Sequence, residues 1–213
     1  MRLTLVGMSG SGKSFWSKRL DQSSFRRFCC DDLIAARLLP ESVSTGDAVT
    51  VVGRWMGFPF ELPYKEREAA YLASETAVMT ELLQALEDLE GNDQIKIVID
   101  TTGSVIYTGE HNLLRLRRLT TIVHLETPSE IQQKKLEAYI KQPRPILWRD
   151  LFHRLPDETN VQAMARCYPL LLASREDQYR KLAHVTISYY HHRRPGFTVQ
   201  DFLRAVSSAR DQR

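Results

Sequence analysis

The chain has no long apolar run. Nothing in its 213 residues approaches the roughly 20 consecutive apolar positions that a membrane span requires, and the opening MRLTLVGMSGSG lacks the apolar stretch of a secretory leader. A cytoplasmic protein without membrane partners is expected. Cysteine is scarce as well: Cys29 and Cys30 are adjacent and Cys167 stands alone. An odd number without ligand spacing argues against both a disulfide framework and thiolate-bound metal, and His111, His191 and His192 show no ligand spacing either. A large excess of charge is also missing. The balance of 29 basic against 26 acidic residues leaves +3, too mild to imply nucleic acid. The arginines at 115, 117 and 118 and at 193 and 194 read as solvated faces or as sites for a small polyanion.

What is present is the composition of a soluble globular domain, 43% hydrophobic and 26% charged. One domain, 1–213, can bury a core at this size without staples. Leu3, Leu5 and Val6 predict a strand, followed by a glycine-rich turn and a helix from Lys13 to about Gln22. A strand over Phe25–Cys30 leads to a helix over Asp31–Leu39 that Pro40 ends. Residues 41–62, with Gly46, Gly53, Gly57 and Pro59 and weak periodicity, read as an irregular excursion. A long helix begins near Pro63, has Ala73, Ala77, Leu83 and Leu86 near one stripe, and stops at Gly91 and Asn92. Ile95–Ile99, closed by Asp100, and Thr121–Leu125 are β-branched runs suited to strands buried on both faces. Thr127-Pro128-Ser129-Glu130 predicts a capping box. Further on, a helix over about Val161–Leu182, kinked at Pro169, precedes a strand at Val185–Ser188 and a last helix capped by Thr198. Strands alternating with helices predict a three-layer α/β fold around a parallel sheet.

Gly7-Met8-Ser9-Gly10-Ser11-Gly12-Lys13-Ser14 matches the phosphate-binding pattern G-x-x-x-x-G-K-[ST] between a predicted strand and a predicted helix. Backbone N–H groups must turn inward around phosphate oxygens there, and the helix N-terminus adds positive potential. Lys13 would reach the β- and γ-phosphates, and the Ser14 hydroxyl would serve Mg²⁺. The nucleotide contacts expected are Gly7, Ser9, Gly10, Ser11, Gly12, Lys13, Ser14 and Phe15.

LTLVGMSGSGKS, CCDDLI, YKERE, TTGSV, RPIL and REDQYRKLAHVTI, in this order, resemble the shikimate kinases over most of the chain. These are small P-loop kinases that phosphorylate a hydroxyl with ATP. The resemblance implies a P-loop kinase fold with a five-stranded parallel sheet of order 2-3-1-4-5, a substrate-binding region at 41–90, a lid at 143–165, and ATP and Mg²⁺ as cofactors. Asp31 then takes the position of the second aspartate of the family's D-x-D, which touches the hydroxyl that is phosphorylated. Cys29 stands where the first, Mg²⁺-associated aspartate belongs. Asp100, ending its strand as a Walker-B carboxylate would, is expected to hold a Mg²⁺-bound water instead. Lys65 corresponds to a carboxylate-binding arginine, keeping its charge without the bidentate fork. Thr101-Thr102-Gly103 replaces a glycine triplet, so that β-branched side chains occupy a wall where Thr102 and Gly103 meet the acceptor. Arg144 corresponds to the lid arginine and Arg175 to a second substrate arginine. Residues 41–62 and 148–165 are longer than the family's equivalents.

The expected function is ATP-dependent phosphorylation of a small, anionic, carboxylated acceptor, with shikimate leading by resemblance and a sugar acid or nucleoside-like acceptor open. Lys13, Arg144 and Mg²⁺ would neutralise the transferring phosphoryl group while Asp31 orients or deprotonates the hydroxyl. Plainer readings stand beside these. Asp31 would serve a helix start with Asp32 as its cap, Asp100 a turn, Arg144 a solvated loop, and Arg175 a surface ion pair. The rival function is a nucleotide-binding regulatory protein without transfer, favoured by Cys29, and a bare NTPase is a third. A monomer or weak homodimer is expected.

Overall fold

Along the central strands, alternate residues serve two different cores. The computed structural model describes residues 1–41, 47–89 and 94–210. Five parallel strands, β1 (Arg2–Val6), β2 (Arg26–Cys29), β3 (Ile97–Asp100), β4 (Thr121–Leu125) and β5 (Val185–Ile187), form one sheet in the order β2-β3-β1-β4-β5. Leu3, Leu5, Val98, Val123 and Leu125 point to the layer of α1 (Lys13–Asp21) and α8 (Val199–Arg210), against Trp16, Leu20, Phe202 and Val206. Val6, Ile97, Ile99 and Ile122 point to the opposite layer. That layer contains α2 (Cys30–Leu38), α3 (Ala48–Met56), α4 (Tyr64–Asp88), α5 (Glu110–Leu119) and α7 (Asn160–Leu182). Both faces of β3 and β4 are therefore buried, which is why those runs read as continuously apolar. No helix of the described residues is long and apolar enough to cross a membrane.

Four local expectations need correction. The 41–62 excursion contains α3, capped where Thr50 N–H donates to Asp47 Oδ2 at 3.1 Å. Its buried positions Ala48, Val52, Gly53 and Met56 do have helical spacing, but a β-branched run with a glycine has low helix propensity and hides it. The long helix α4 keeps Leu83 and Leu86 buried but exposes Ala73 and leaves Ala77 half-buried. Its inward face is Tyr64, Glu68, Tyr71, Glu75, Val78 and Leu82. The stop at Gly91 and Asn92 lies outside the described residues. The box at Thr127 does not form, because Glu176 on α7 already accepts the Thr127 N–H at 3.2 Å, the bond Glu130 would have taken. A short 3₁₀ turn (Ser129–Ile131) follows instead, and α6 (Gln132–Lys141) starts after Ile131. Finally, Asp32 does not cap α2: Cys29 holds that position, and Asp31 and Asp32 sit in the first turn, where negative charge complements the helix dipole.

Elsewhere the local signals hold. Thr198 and Asp201 exchange reciprocal bonds at the start of α8, Thr198 N–H to Asp201 Oδ2 at 2.9 Å and Asp201 N–H to Thr198 Oγ1 at 3.2 Å. α7 opens with a capping box of Thr159 and Gln162 and runs through Pro169. Pro169 and Ala165, whose carbonyl loses its partner, are both exposed, so water replaces the missing bond.

Candidate active site

The C-terminal ends of β1, β2 and β3 converge on one crevice, where the chain leaves β1 between β3 and β4. From β1 the loop 7–12 curls into α1. Gly12 has φ +114° at the helix start, a conformation that glycine adopts without strain. Lys13 is buried and folds back over the loop, donating from Nζ to Gly7 O at 2.7 Å and Met8 O at 3.1 Å. Burial holds its pKa below the usual lysine value, opposed by the Asp100 and Asp31 charges.

A narrow cleft of about 80 Å³ joins this loop to the remaining strand ends. Ser9, Gly10, Lys13 and Ser14 line one side; Asp31, Val49, Thr102, Gly103, Arg144 and Arg175 line the rest. Eight of the expected site residues outside the loop's glycines thus meet: Ser9, Lys13, Ser14, Asp31, Thr102, Gly103, Arg144 and Arg175. The half-buried Asp31 carboxyl is pushed up to about 7, first by burial, with Lys13 opposing and Asp100 assisting. Arg144 reaches the loop, its Nη1 3.4 Å from Ser9 Oγ. The segment carrying it rests on α3: a Cβ on Gly53 would stand 2.2 Å from Pro143 O and 2.7 Å from Arg144 Cα, so only glycine permits this approach.

Lys65 is not brought in. It is exposed on α4, one residue past Tyr64, so it lies about 100° around the helix from the inward stripe. Arg175 is buried in α7 and donates to Gly103 O at 3.2 Å and to Leu147 O, with its guanidinium 5.4 Å from the Tyr107 ring centre. Its Nε has no hydrogen-bond partner among the described residues. Phe15 is exposed on the outer side of α1, in a pocket with Arg19, His192 and Arg193.

Asp100 is fully buried at the end of β3, directly beside Cys29 in the parallel register. The carboxylate therefore stands on the strand next to the position where the resemblance expects an acid. Its Oδ2 accepts from Ser17 Oγ and from Arg27 Nη2, both at 2.8 Å, while Arg27 Nε donates to Ser17 Oγ at 2.7 Å. Oδ1 has no partner. Replacing Arg27 by alanine leaves this carboxylate buried and uncompensated, so a stability loss of about 3–5 kcal/mol is expected in denaturant unfolding at pH 7. Adding Asp100→Asn to the Arg27→Ala chain should recover much of it.

Sequence reasoning gave no site role to Arg27, Glu75 and Lys135, and left Arg193 open between a solvated face and a site for a small polyanion. Glu75 on α4 is 2% exposed and accepts from Thr102 Oγ1 and, at 2.6 Å, from Ser104 Oγ. Burial pushes its carboxyl up to about 7 against those two bonds. An acid at helical spacing from Tyr64, Glu68 and Tyr71 was the available signal. Lys135 on α6 donates to Ser9 O, and Arg193, after β5, donates to Gly10 O at 3.0 Å. Nothing in the local sequence of Lys135 distinguishes it from a solvated charge.

No protein-family model and no curated protein sequence matches the chain. Solved structures do. Shikimate kinase from Acinetobacter baumannii in complex with shikimate superposes with a TM-score of 0.59 at 23% identity, covering 97% of this chain and 93% of that one. The fold is that of the shikimate kinases. Shikimate kinase from Aquifex aeolicus gives 0.57 at 20% identity, covering 98% and 97%. The enzyme from Bacteroides thetaiotaomicron gives 0.56 at 17%, covering 100% and 95%. A shikimate-kinase fold of full length, with the same five-stranded parallel order, is thereby established, while the chemistry rests on the residues in the cleft.

Proposed function

We propose that this protein transfers the terminal phosphoryl group of ATP to a hydroxyl of a small anionic metabolite. The observation that carries the reading is one cleft that Lys13, Ser14, Arg144, Asp31 and Arg175 line together. Cations that fit a triphosphate thus share a cleft of about 80 Å³ with an acid that fits a hydroxyl, which leaves little room for water. Lys13 and Arg144 stabilise the charge on the equatorial oxygens of the transferring group. Asp31, with its pKa near neutrality, orients the acceptor hydroxyl and takes its proton. Arg175, which lines the same cleft, holds the acceptor's carboxylate.

The donor set also fits Mg²⁺. Ser14 offers a hydroxyl, Asp100 Oδ1 is buried without a partner, and a hard cation that keeps several waters needs only one or two protein oxygens beside the phosphates. When bound, the ion would supply Lewis-acid neutralisation of phosphate charge.

Shikimate, bound by the Acinetobacter neighbour, is the first acceptor to test. ADP release from ATP and Mg²⁺ is expected to accelerate with one member of a panel of shikimate, hydroxylated carboxylic acids, sugar acids and nucleosides. Acceleration by a neutral polyol alone would remove the anionic assignment. ATP binding without acceleration by any acceptor would favour a regulatory nucleotide-binding protein, a reading that the Arg27 ion pair on Asp100 also suits.

A further inference from the structure

Four cations crowd the crown of the phosphate loop. Lys13 holds Gly7 O and Met8 O, Lys135 holds Ser9 O, Arg144 approaches Ser9 Oγ, and Arg193 holds Gly10 O. They arrive from α1, α6, the lid and the segment after β5, so four separate parts of the chain place positive charge on one loop. Among the described residues, none of the four forms an ion pair with a carboxylate. Neutral carbonyl and hydroxyl oxygens are poor counterparts for four like charges.

We propose that Lys135 is a further phosphate-binding residue, whose ammonium exchanges the Ser9 carbonyl for an oxygen of the terminal phosphate when ATP binds. The proposal rests on the kinase reading and deepens it. Two observations select the terminal phosphate. Ser9, which Lys135 holds, lines the acceptor cleft, and the phosphate nearest the acceptor is the one transferred. Lys135 and Arg144 also line one cavity of about 300 Å³ above Ser9 and Gly10, and Arg144 lines the acceptor cleft as well. Burial, with the charges of Lys13, Arg193 and Arg144, lowers the Lys135 pKa to about 8 against the pull of Glu176. That strain is relieved by an anion.

The test compares ATP and ADP binding, each with Mg²⁺, by calorimetry on the full chain. Lys135→Met, which keeps side-chain length, is expected to weaken ATP about tenfold or more, the value of one charge-assisted bond, while ADP changes less than about twofold. Lys135→Arg should restore most of the ATP affinity. The melting temperature of unliganded Lys135→Met should equal or exceed that of the wild type, since one of four mutually repelling charges is gone. Equal weakening of ATP and ADP, or a lowered melting temperature with no preference between them, would make Lys135 a structural strap on Ser9 and overturn the proposal. Unchanged ATP affinity would overturn it too. Failure of the wild-type chain to bind ATP would instead remove the kinase reading.

Discussion

Replacement of Lys13 by methionine should abolish transfer and most ATP affinity while leaving the fold intact. Lys13 is buried at the loop and, among the described residues, bonds to the carbonyls of Gly7 and Met8. Its charge is disfavoured there by burial, so the unliganded state gains little from it. With a triphosphate in the loop the same ammonium makes charge-assisted bonds in a dry site, each worth about 1.5–3 kcal/mol. Two such bonds correspond to a loss of roughly 10²-fold or more in ATP binding, and the transition state, with more charge to stabilise, loses about another 10². Calorimetric titration and ADP release measure the two effects separately. A melting temperature close to wild type would show that the loss is functional, and ATP affinity within a few-fold of wild type would end the phosphate-loop assignment.

Asp31→Asn should divide binding from chemistry. Asparagine keeps the shape and loses the proton-accepting charge, so turnover is expected to fall by about 10²–10⁴. ATP affinity should stay the same or rise, because a negative group near the phosphates is removed. The pH profile gives an independent check. A base with a pKa near 7 must be ionised to work, so wild-type kcat/KM should climb with pH through about 7, and the residual activity of the variant should lack that limb. Stability moves the other way. The folded pKa lies above the ordinary aspartate value of about 3.9, so the native state binds more protons across that interval. Its contribution is therefore fully present below about pH 4 and is lost as pH rises through about 7. Asp31→Asn should flatten this decline, and the part that remains belongs to Glu75, which titrates in the same range. Turnover unchanged in the variant would remove Asp31 as the base.

The neighbouring Thr102 shows how far a sequence pattern carries. A threonine in place of a bare backbone was legible at once, but its consequence was not: its hydroxyl is turned to Glu75, a residue 27 positions earlier on α4. Lys65 fails for a related reason. The motif around it matched in order, yet its position on α4 faces solvent, while Tyr64 and Glu68 on the inward stripe bind the lid through Ile146 O and Arg149 N–H. A charge on a helix is useful only on the face that packing turns inward. Arg27 illustrates the converse, an ordinary-looking charge that the pairing of β2 with β3 brings to 2.8 Å from Asp100.

The sequence by itself determined the phosphate loop, the alternation of strands and helices, and the two-sided burial of β3 and β4, because each depends on residues close together in the chain. It also carried, through resemblance, the strand order that the sheet has. Tertiary structure alone decided which charges meet at the loop. Lys135 and Arg193 lie more than 120 residues from the oxygens they hold, and the local sequence of Lys135 is that of any solvated surface, while the arginines at 193 and 194 left a polyanion site and a solvated face equally open. The same is true of α3, whose β-branched residues and Gly53 become helical by packing under the lid, where burial of apolar surface outweighs a weak intrinsic preference.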